Sequence, residues 1–232
     1  MEAARPCQSV VHHLWNLMKA AQPMVIWSSA QQHARVERDM SLEDLKRHVR
    51  VLGSKYTDRE QRARRLFIEE RAASLQQERD REFAIRTEIS DFFSIAYSAV
   101  SFCGSGQLGF SIHKDKLFEP CVSDLDVASI DVELFQRAWI DVVSTTRAFT
   151  DLTPFGRRNA ENIKYFQQRI LKRGMISVGE MPQSALSRSW SQFQGQLSRK
   201  HTSIFRNINF AIYMNEYAFC WKQDSALSNL TG

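Results

Sequence analysis

The segment 102–130 constrains the fold most, because two short apolar runs in it each adjoin a cluster of small or acidic residues. Residues 99–103 are apolar and lead into GSGQLG, which predicts a buried strand entering a tight turn. Residues 122–130 predict a second strand, on which Asp124 and Asp126 alternate with apolar neighbours. On a strand both carboxylates project from one face, about 7 Å apart along the backbone.

The two aspartates predict a site for a divalent cation. Two carboxylates on one face repel each other unless a cation lies between them. Mg²⁺ (or Mn²⁺) suits such a pair, because it prefers oxygen ligands and is usually held by one or two carboxylates together with substrate phosphates. We therefore expect Asp124 and Asp126 to be metal ligands.

The glycine-serine turn predicts a phosphate site beside that metal. Glycines let the backbone approach phosphate oxygens closely, and the exposed N–H groups and the Ser105 hydroxyl can donate to them. Gly104, Ser105 and Gly106 are therefore expected to bind a nucleotide, together with Ser111 at the end of GSGQLGFS. Two alternative interpretations stay open: GSGQLG could be an ordinary turn, and SDLD could be surface acids or part of a calcium loop.

A strand ending in Gly-Ser, followed by a strand that carries Asp-x-Asp, resembles the nucleotidyltransferase superfamily typified by DNA polymerase beta. GSGQLGFS followed by SDLDVASID-x-ELF is also similar to bacterial nucleotidyltransferase-like proteins linked to defence or toxin–antitoxin loci, over about 82–227. The resemblance implies Mg²⁺-dependent transfer of a nucleotide from an NTP to a hydroxyl. It implies that Gly104 and Ser105 hold the triphosphate and that Asp124 and Asp126 hold the metals.

The superfamily also implies a third carboxylate on a later strand, and the sequence leaves its identity open. Glu180 is the catalytic candidate if 175–181 forms a strand. Asn209, inside the alternating run 206–214, would occupy the position without the charge, and Glu216 follows that run. If no third acid is present, we expect a sensor that binds a nucleotide without turning it over.

The positive charge of the protein is concentrated in its C-terminal third. The net charge is +5 over 232 residues, yet 58–82 holds seven arginines and seven acids, whereas 152–206 holds ten Lys/Arg and two acids. Such a basic region attracts phosphates, so RNA such as tRNA is an expected acceptor, and the resemblance also implies a second nucleotide as an alternative. Its candidate nucleic-acid-binding residues are Arg157, Arg158, Lys172 and Arg173.

The remaining sequence predicts a mixed α/β protein, with helices packed around a small nucleotidyltransferase-like sheet. We expect a helical N-terminal extension over 1–82, which includes a helix at 10–21 and a separate appendage over 1–39, and a nucleotidyltransferase-like domain over 83–232. The segment 57–82 lacks Gly and Pro and predicts one long solvated helix, through which a protein partner or a second copy could bind. The chain lacks a signal peptide pattern and long apolar runs, so a cytoplasmic protein without membrane contact is expected.

Overall fold

The computed structural model describes residues 40–156 and 159–231, and Ser41–Gly232 form one compact unit. The predicted mixed α/β class is confirmed, because helices surround a four-stranded sheet and a two-stranded sheet. The predicted helix at 10–21 and the appendage at 1–39 lie outside the described residues. No helix among the described residues is both long enough and apolar enough to span a bilayer.

Among the described residues, three helices precede the first strand, and the later helices are interspersed among the strands. The helices are α1 (Leu42–Ser54), α2 (Arg59–Arg64), α3 (Arg79–Phe93), α4 (Gly104–Leu108), α5 (Val132–Thr145), α6 (Asn159–Arg173), α7 (Ala185–Lys200) and α8 (Glu216–Thr231). The strands are β1 (Val100–Cys103), β2 (Phe110–Ser111), β3 (Lys116–Leu117), β4 (Leu125–Ile130), β5 (Met175–Ser177) and β6 (Ile208–Tyr213).

The main sheet is mixed, with the strand order β1-β4-β6-β5. β4 and β6 run parallel, whereas β1 and β5 are antiparallel to their neighbours. The end of β1 and the starts of β4 and β6 therefore meet at the same end of the sheet. At that end the register places Asp126 between Cys103 of β1 and Asn209 of β6.

Helices cover both faces of this sheet, because strand residues alternate between two apolar clusters. Phe102, Val127 and Phe210 belong to a cluster that includes residues of α3, α5 and α7. Cys103 and Ala128, one position on, belong to a second cluster that includes residues of α1, α2 and α8. Burial on both faces makes the sheet the centre of the unit and fixes its register.

The segment 57–82 does not form the long solvated helix that its composition predicted. The chain forms α2, a π-helical turn at Arg65–Glu69 and a 3-10 turn at Ala73–Leu75 before α3 begins. Its sparse apolar residues are the reason: Leu66, Phe67 and Leu75 are buried, and one straight helix could not turn all of them into the core.

The buried side chain of Gln107 fixes this bend. It donates hydrogen bonds to the carbonyl oxygens of Leu66 and Glu70, both at 2.9 Å. The expected domain boundary at residue 82 lies inside α3, and the helices before it pack within the same compact unit as the sheet.

Local structure at three further places follows from short stretches of sequence. Ser41 caps α1, and reciprocal hydrogen bonds between Ser41 and Asp44 form a capping box. The turn expected after β1 is instead the first part of the short helix α4. The strand that would have to reach residue 181 for Glu180 to lie on it ends at Ser177, and a 3-10 turn (Val178–Glu180) follows it.

Candidate functional site

A cavity of about 680 Å³ opens at the end of the sheet where β1 ends and β4 begins. Its walls include five predicted site residues, namely Gly104, Ser105, Ser111, Asp124 and Asp126. The volume lies within the range typical of sites for small molecules. The structure thus brings the two motifs of the sequence together in one concave site.

Asp126 is the inner of the two carboxylates. It lies on β4, and the side-chain amide of Asn209 donates to its Oδ1 at 3.1 Å. Burial raises the pKa of Asp126 above its ordinary value, although the Asn209 hydrogen bond and the charge of Lys222 act in the opposite direction. No described residue donates a hydrogen bond to Asp126 Oδ2, so this oxygen remains available to a ligand.

Asp124 is the outer carboxylate and lies just before β4. The Arg206 guanidinium donates two hydrogen bonds to this carboxylate, from Nε to Oδ1 at 3.0 Å and from Nη2 to Oδ2 at 2.8 Å. Asn207 donates to the same Oδ1 at 3.1 Å. Partial burial raises the pKa of Asp124, but these hydrogen bonds outweigh it and leave the pKa below its ordinary value.

The two glycines of the Gly-Ser-Gly sequence have different structural roles. Gly104 has a positive φ of 66°, and a Cβ there would lie 2.5 Å from Asp126 Oδ2. Only glycine therefore allows the backbone to turn so close to the carboxylate. Gly106 is buried, with a Cβ position 2.8 Å from the Leu125 side chain, and it does not line the cavity. Gly106 acts in packing rather than at the nucleotide site that the sequence assigned to it.

Glu180 does not occupy the place expected of a third carboxylate. It lies in the 3-10 turn after β5, and its Oε2 is 2.7 Å from Arg169 Nε. Burial raises the pKa of Glu180, opposed by the charges of Arg169 and Arg173. Arg169 lines the cavity, whereas Glu180 does not.

The position beside Asp126 on the neighbouring strand holds a neutral amide. Asn209 is the register partner of Asp126 across the parallel β4–β6 pair. Glu216, the third alternative, lies at the start of α8 and pairs with Arg64. The structure therefore favours Asn209 among the three alternatives that the sequence left open.

The two predicted nucleic-acid-binding residues that the structure describes do not line the cavity. Lys172 and Arg173 are exposed at the last turn of α6 and do not line it, and Arg157 and Arg158 lie outside the described residues. The cavity has other basic residues, which the sequence did not single out: Lys114, Lys116, Arg169, Arg206 and Lys222. A usable sequence signal exists only for Arg206, which lies two residues before β6, the strand that pairs with β4.

The two aspartates fit a divalent cation that takes its other ligands from phosphates and water. Asp124 and Asp126 supply oxygen ligands, and one oxygen of Asp126 has no hydrogen-bond donor among the described residues. No cluster of three or more His, Cys, Asp or Glu side chains suited to a metal occurs in the described part of the chain. A bound Mg²⁺ would therefore have two protein carboxylates rather than three.

Neither a family model, nor a curated protein, nor a solved structure matches this chain. The chemistry of the cavity therefore follows from its own side chains: two carboxylates, a closely approaching glycine-serine backbone, and cations around them. An anionic ligand that carries a divalent cation is complementary to that combination.

Proposed function

We propose that the cavity binds an NTP with Mg²⁺ or Mn²⁺, and that the protein is a nucleotidyltransferase. The acceptor is a hydroxyl of RNA, of tRNA, or of a second nucleotide. The observation that carries this proposal is the position of Asp124 and Asp126 next to the backbone of Gly104 and Ser105 in one cavity. The motif resemblance implies the same arrangement.

In this proposal, different residues of the cavity bind the triphosphate, neutralise its charge and hold the metal. Gly104 and Ser105 offer backbone and hydroxyl donors to the triphosphate, with the Ser111 hydroxyl nearby. Lys114 and Lys222 line the cavity, and no described acid forms an ion pair with either, so both can neutralise phosphate charge. Asp124 and Asp126 would hold the metal ion, which when bound would supply positive charge that polarises the phosphoryl oxygens.

The neutral amide at Asn209 favours a second candidate, a module that binds a nucleotide without turning it over. With two carboxylates instead of three, the metal is held less firmly. Arg206, bound to Asp124 through both of its oxygens, also competes for a metal ligand. A nucleotide sensor must bind a nucleotide but need not transfer it. The two-carboxylate site and the Arg206–Asp124 pair are therefore both compatible with a sensor.

A labelling experiment separates the two candidates. The protein is incubated with each labelled NTP, Mg²⁺ or Mn²⁺ and total RNA, and the labelled products are resolved by size. A transferase yields a labelled RNA or small product that disappears in Asp126→Asn and persists in Asp91→Asn, an exposed acid on α3. Wild-type protein that binds NTP but labels nothing is the sensor, and protein that binds no NTP contradicts both candidates.

A further inference from the structure

A second cavity of about 350 Å³ adjoins the first. The two share three wall residues, Gly179, Gln194 and Arg206. Arg206 therefore stands between the two cavities, beside Asp124 on the one side and facing the second cavity on the other. A molecule in the second cavity would lie next to the proposed metal site.

The chemistry of this second cavity is polar and positive. α7 and the residues that follow it contribute Ser191, Gln194, Arg199 and Thr202 to its walls. Among the described residues that line it there are two arginines and no carboxylate. Such a surface suits an anion with hydrogen-bonding groups and is unsuited to an apolar ligand or a cation.

Of the two arginines that line the second cavity, Arg199 is the one available to bind an anion. Its neighbour Lys200 pairs with Glu88 of α3, whereas no described acid forms an ion pair with Arg199. The Arg199 guanidinium lies close to Gly195, since a Cβ built there would be 3.5 Å from Nη1. A Cβ on Gly179, which also lines the second cavity, would meet no atom within 4 Å, so there is open space at this glycine.

The geometry points to the second cavity as the acceptor site, with Arg199 binding a phosphate group of the acceptor. This inference rests on the proposed function, because the first cavity must hold the NTP for the second to hold its acceptor. The acceptor is then a phosphate-bearing nucleotide unit, either at an RNA end or as a mononucleotide. Guanidinium groups favour such ligands because their planar fork matches phosphate oxygens.

The test compares the removal of two single charges on α7. Arg199→Gln changes the last turn of α7, and Arg188→Gln removes an exposed arginine of the same helix that lines neither cavity. The binding of a fluorescein-labelled short single-stranded RNA and of AMP is measured for both variants over a range of salt concentrations. Arg199→Gln should weaken binding about tenfold and reduce the salt slope by about 1, whereas Arg188→Gln should leave both nearly unchanged.

Each result decides the inference. A loss confined to RNA identifies an RNA-end acceptor, and a loss confined to AMP identifies a mononucleotide acceptor. Equal losses in the two variants, no loss in Arg199→Gln, or wild-type protein that binds neither probe would overturn the inference.

Mn²⁺–ATP binding is titrated separately on the same proteins. Its absence in the wild type would overturn the proposed function, and unchanged Mn²⁺–ATP affinity in Arg199→Gln keeps the two sites distinct.

Discussion

Two arginine-rich regions of this protein place their charges differently, although both contain ion pairs. In 58–82 most of the arginines pair with acids, and these pairs connect backbone turns and helices. In the C-terminal third, Arg169, Arg199 and Arg206 line cavities at the end of the sheet. The net charge of a segment therefore indicates less about its role than the partners of its individual side chains.

The strongest pairing in the first region joins α2 to α8. Asp224 is only 1% exposed; Arg62 Nε donates to its Oδ1 at 2.7 Å, and Arg62 Nη2 lies 2.6 Å from the same oxygen. Arg71 in turn binds Glu82 at 2.8 Å and so ties the turn before α3 to that helix. These contacts join elements of the fold to one another.

The largest predicted loss of stability follows from replacing Arg62, which leaves its ion-pair partner Asp224 buried. Arg62→Gln leaves the Asp224 carboxylate buried with only the more distant Arg59, 3.7 Å away. Breaking a buried ion pair on one side costs about 3–5 kcal/mol, so the free energy of unfolding should fall by about 3 kcal/mol after allowance for the partial exposure of Arg62. Urea unfolding followed by circular dichroism measures the change.

The matched control is Arg64→Gln on the same helix. Arg64 pairs with Glu216, and both side chains are about half exposed. An exposed pair contributes about 0–1 kcal/mol, so this variant should unfold nearly as the wild type does. Equal losses for Arg62→Gln and Arg64→Gln would mean that the buried position of Asp224 does not decide the stability of this region.

In the second region, Arg206→Gln should increase affinity for Mn²⁺ without nucleotide. The metal no longer has to displace a guanidinium from Asp124, and an exposed bidentate pair is worth up to about 1 kcal/mol, or about fivefold. Arg169→Gln is the control, because Arg169 lines the same cavity but pairs with Glu180. Electron paramagnetic resonance of free Mn²⁺ gives both affinities, and an equal rise in the two variants would point to general electrostatics.

A smaller effect is expected where the two regions meet, at His201. This side chain is buried, and burial together with the charges of Arg81 and Lys200 lowers its pKa, opposed by Glu88. The folded state thus favours neutral His201, whereas the unfolded chain protonates near the ordinary value of about 6.5. Stability is then fully present above that pH and decreases as the pH falls below it.

Urea unfolding between about pH 7.5 and pH 5 tests this expectation on the wild type and on His201→Gln. The wild type should lose more stability on acidification than the variant does, because only the wild type has this group to protonate. Identical pH dependence in the two proteins would show that His201 titrates the same way in both states.

The site could be predicted in part because its signals are local. The alternation around Asp124 and Asp126 and the glycines after β1 need no tertiary information, and the structure places Gly104, Ser105 and the aspartates in one cavity. The pairing of Asp126 with Asn209 depends on the register between two strands that are 83 residues apart, which no local pattern specifies.

The wrong predictions share one physical cause. The sequence shows that a residue is charged, but it does not show which residue that charge pairs with. Charges at helical spacing predicted a solvated helix over 57–82, but several of these arginines bind acids on other elements, such as Asp224 on α8. Glu180 was a plausible third carboxylate until the structure paired it with Arg169. The sparse apolar residues Leu66, Phe67 and Leu75 are the local sign of burial within this charged segment.

The most direct test of the central claim is a titration of Mn²⁺ with ATP into the wild-type protein and into Asp126→Asn, followed by electron paramagnetic resonance. The cavity account predicts metal-dependent ATP binding by the wild type and at least about a tenfold loss in the variant. Asp126→Asn should still fold as the wild type does, since it removes a carboxylate whose pKa is raised by burial. Equal Mn²⁺–ATP affinity in the two folded proteins would contradict the account.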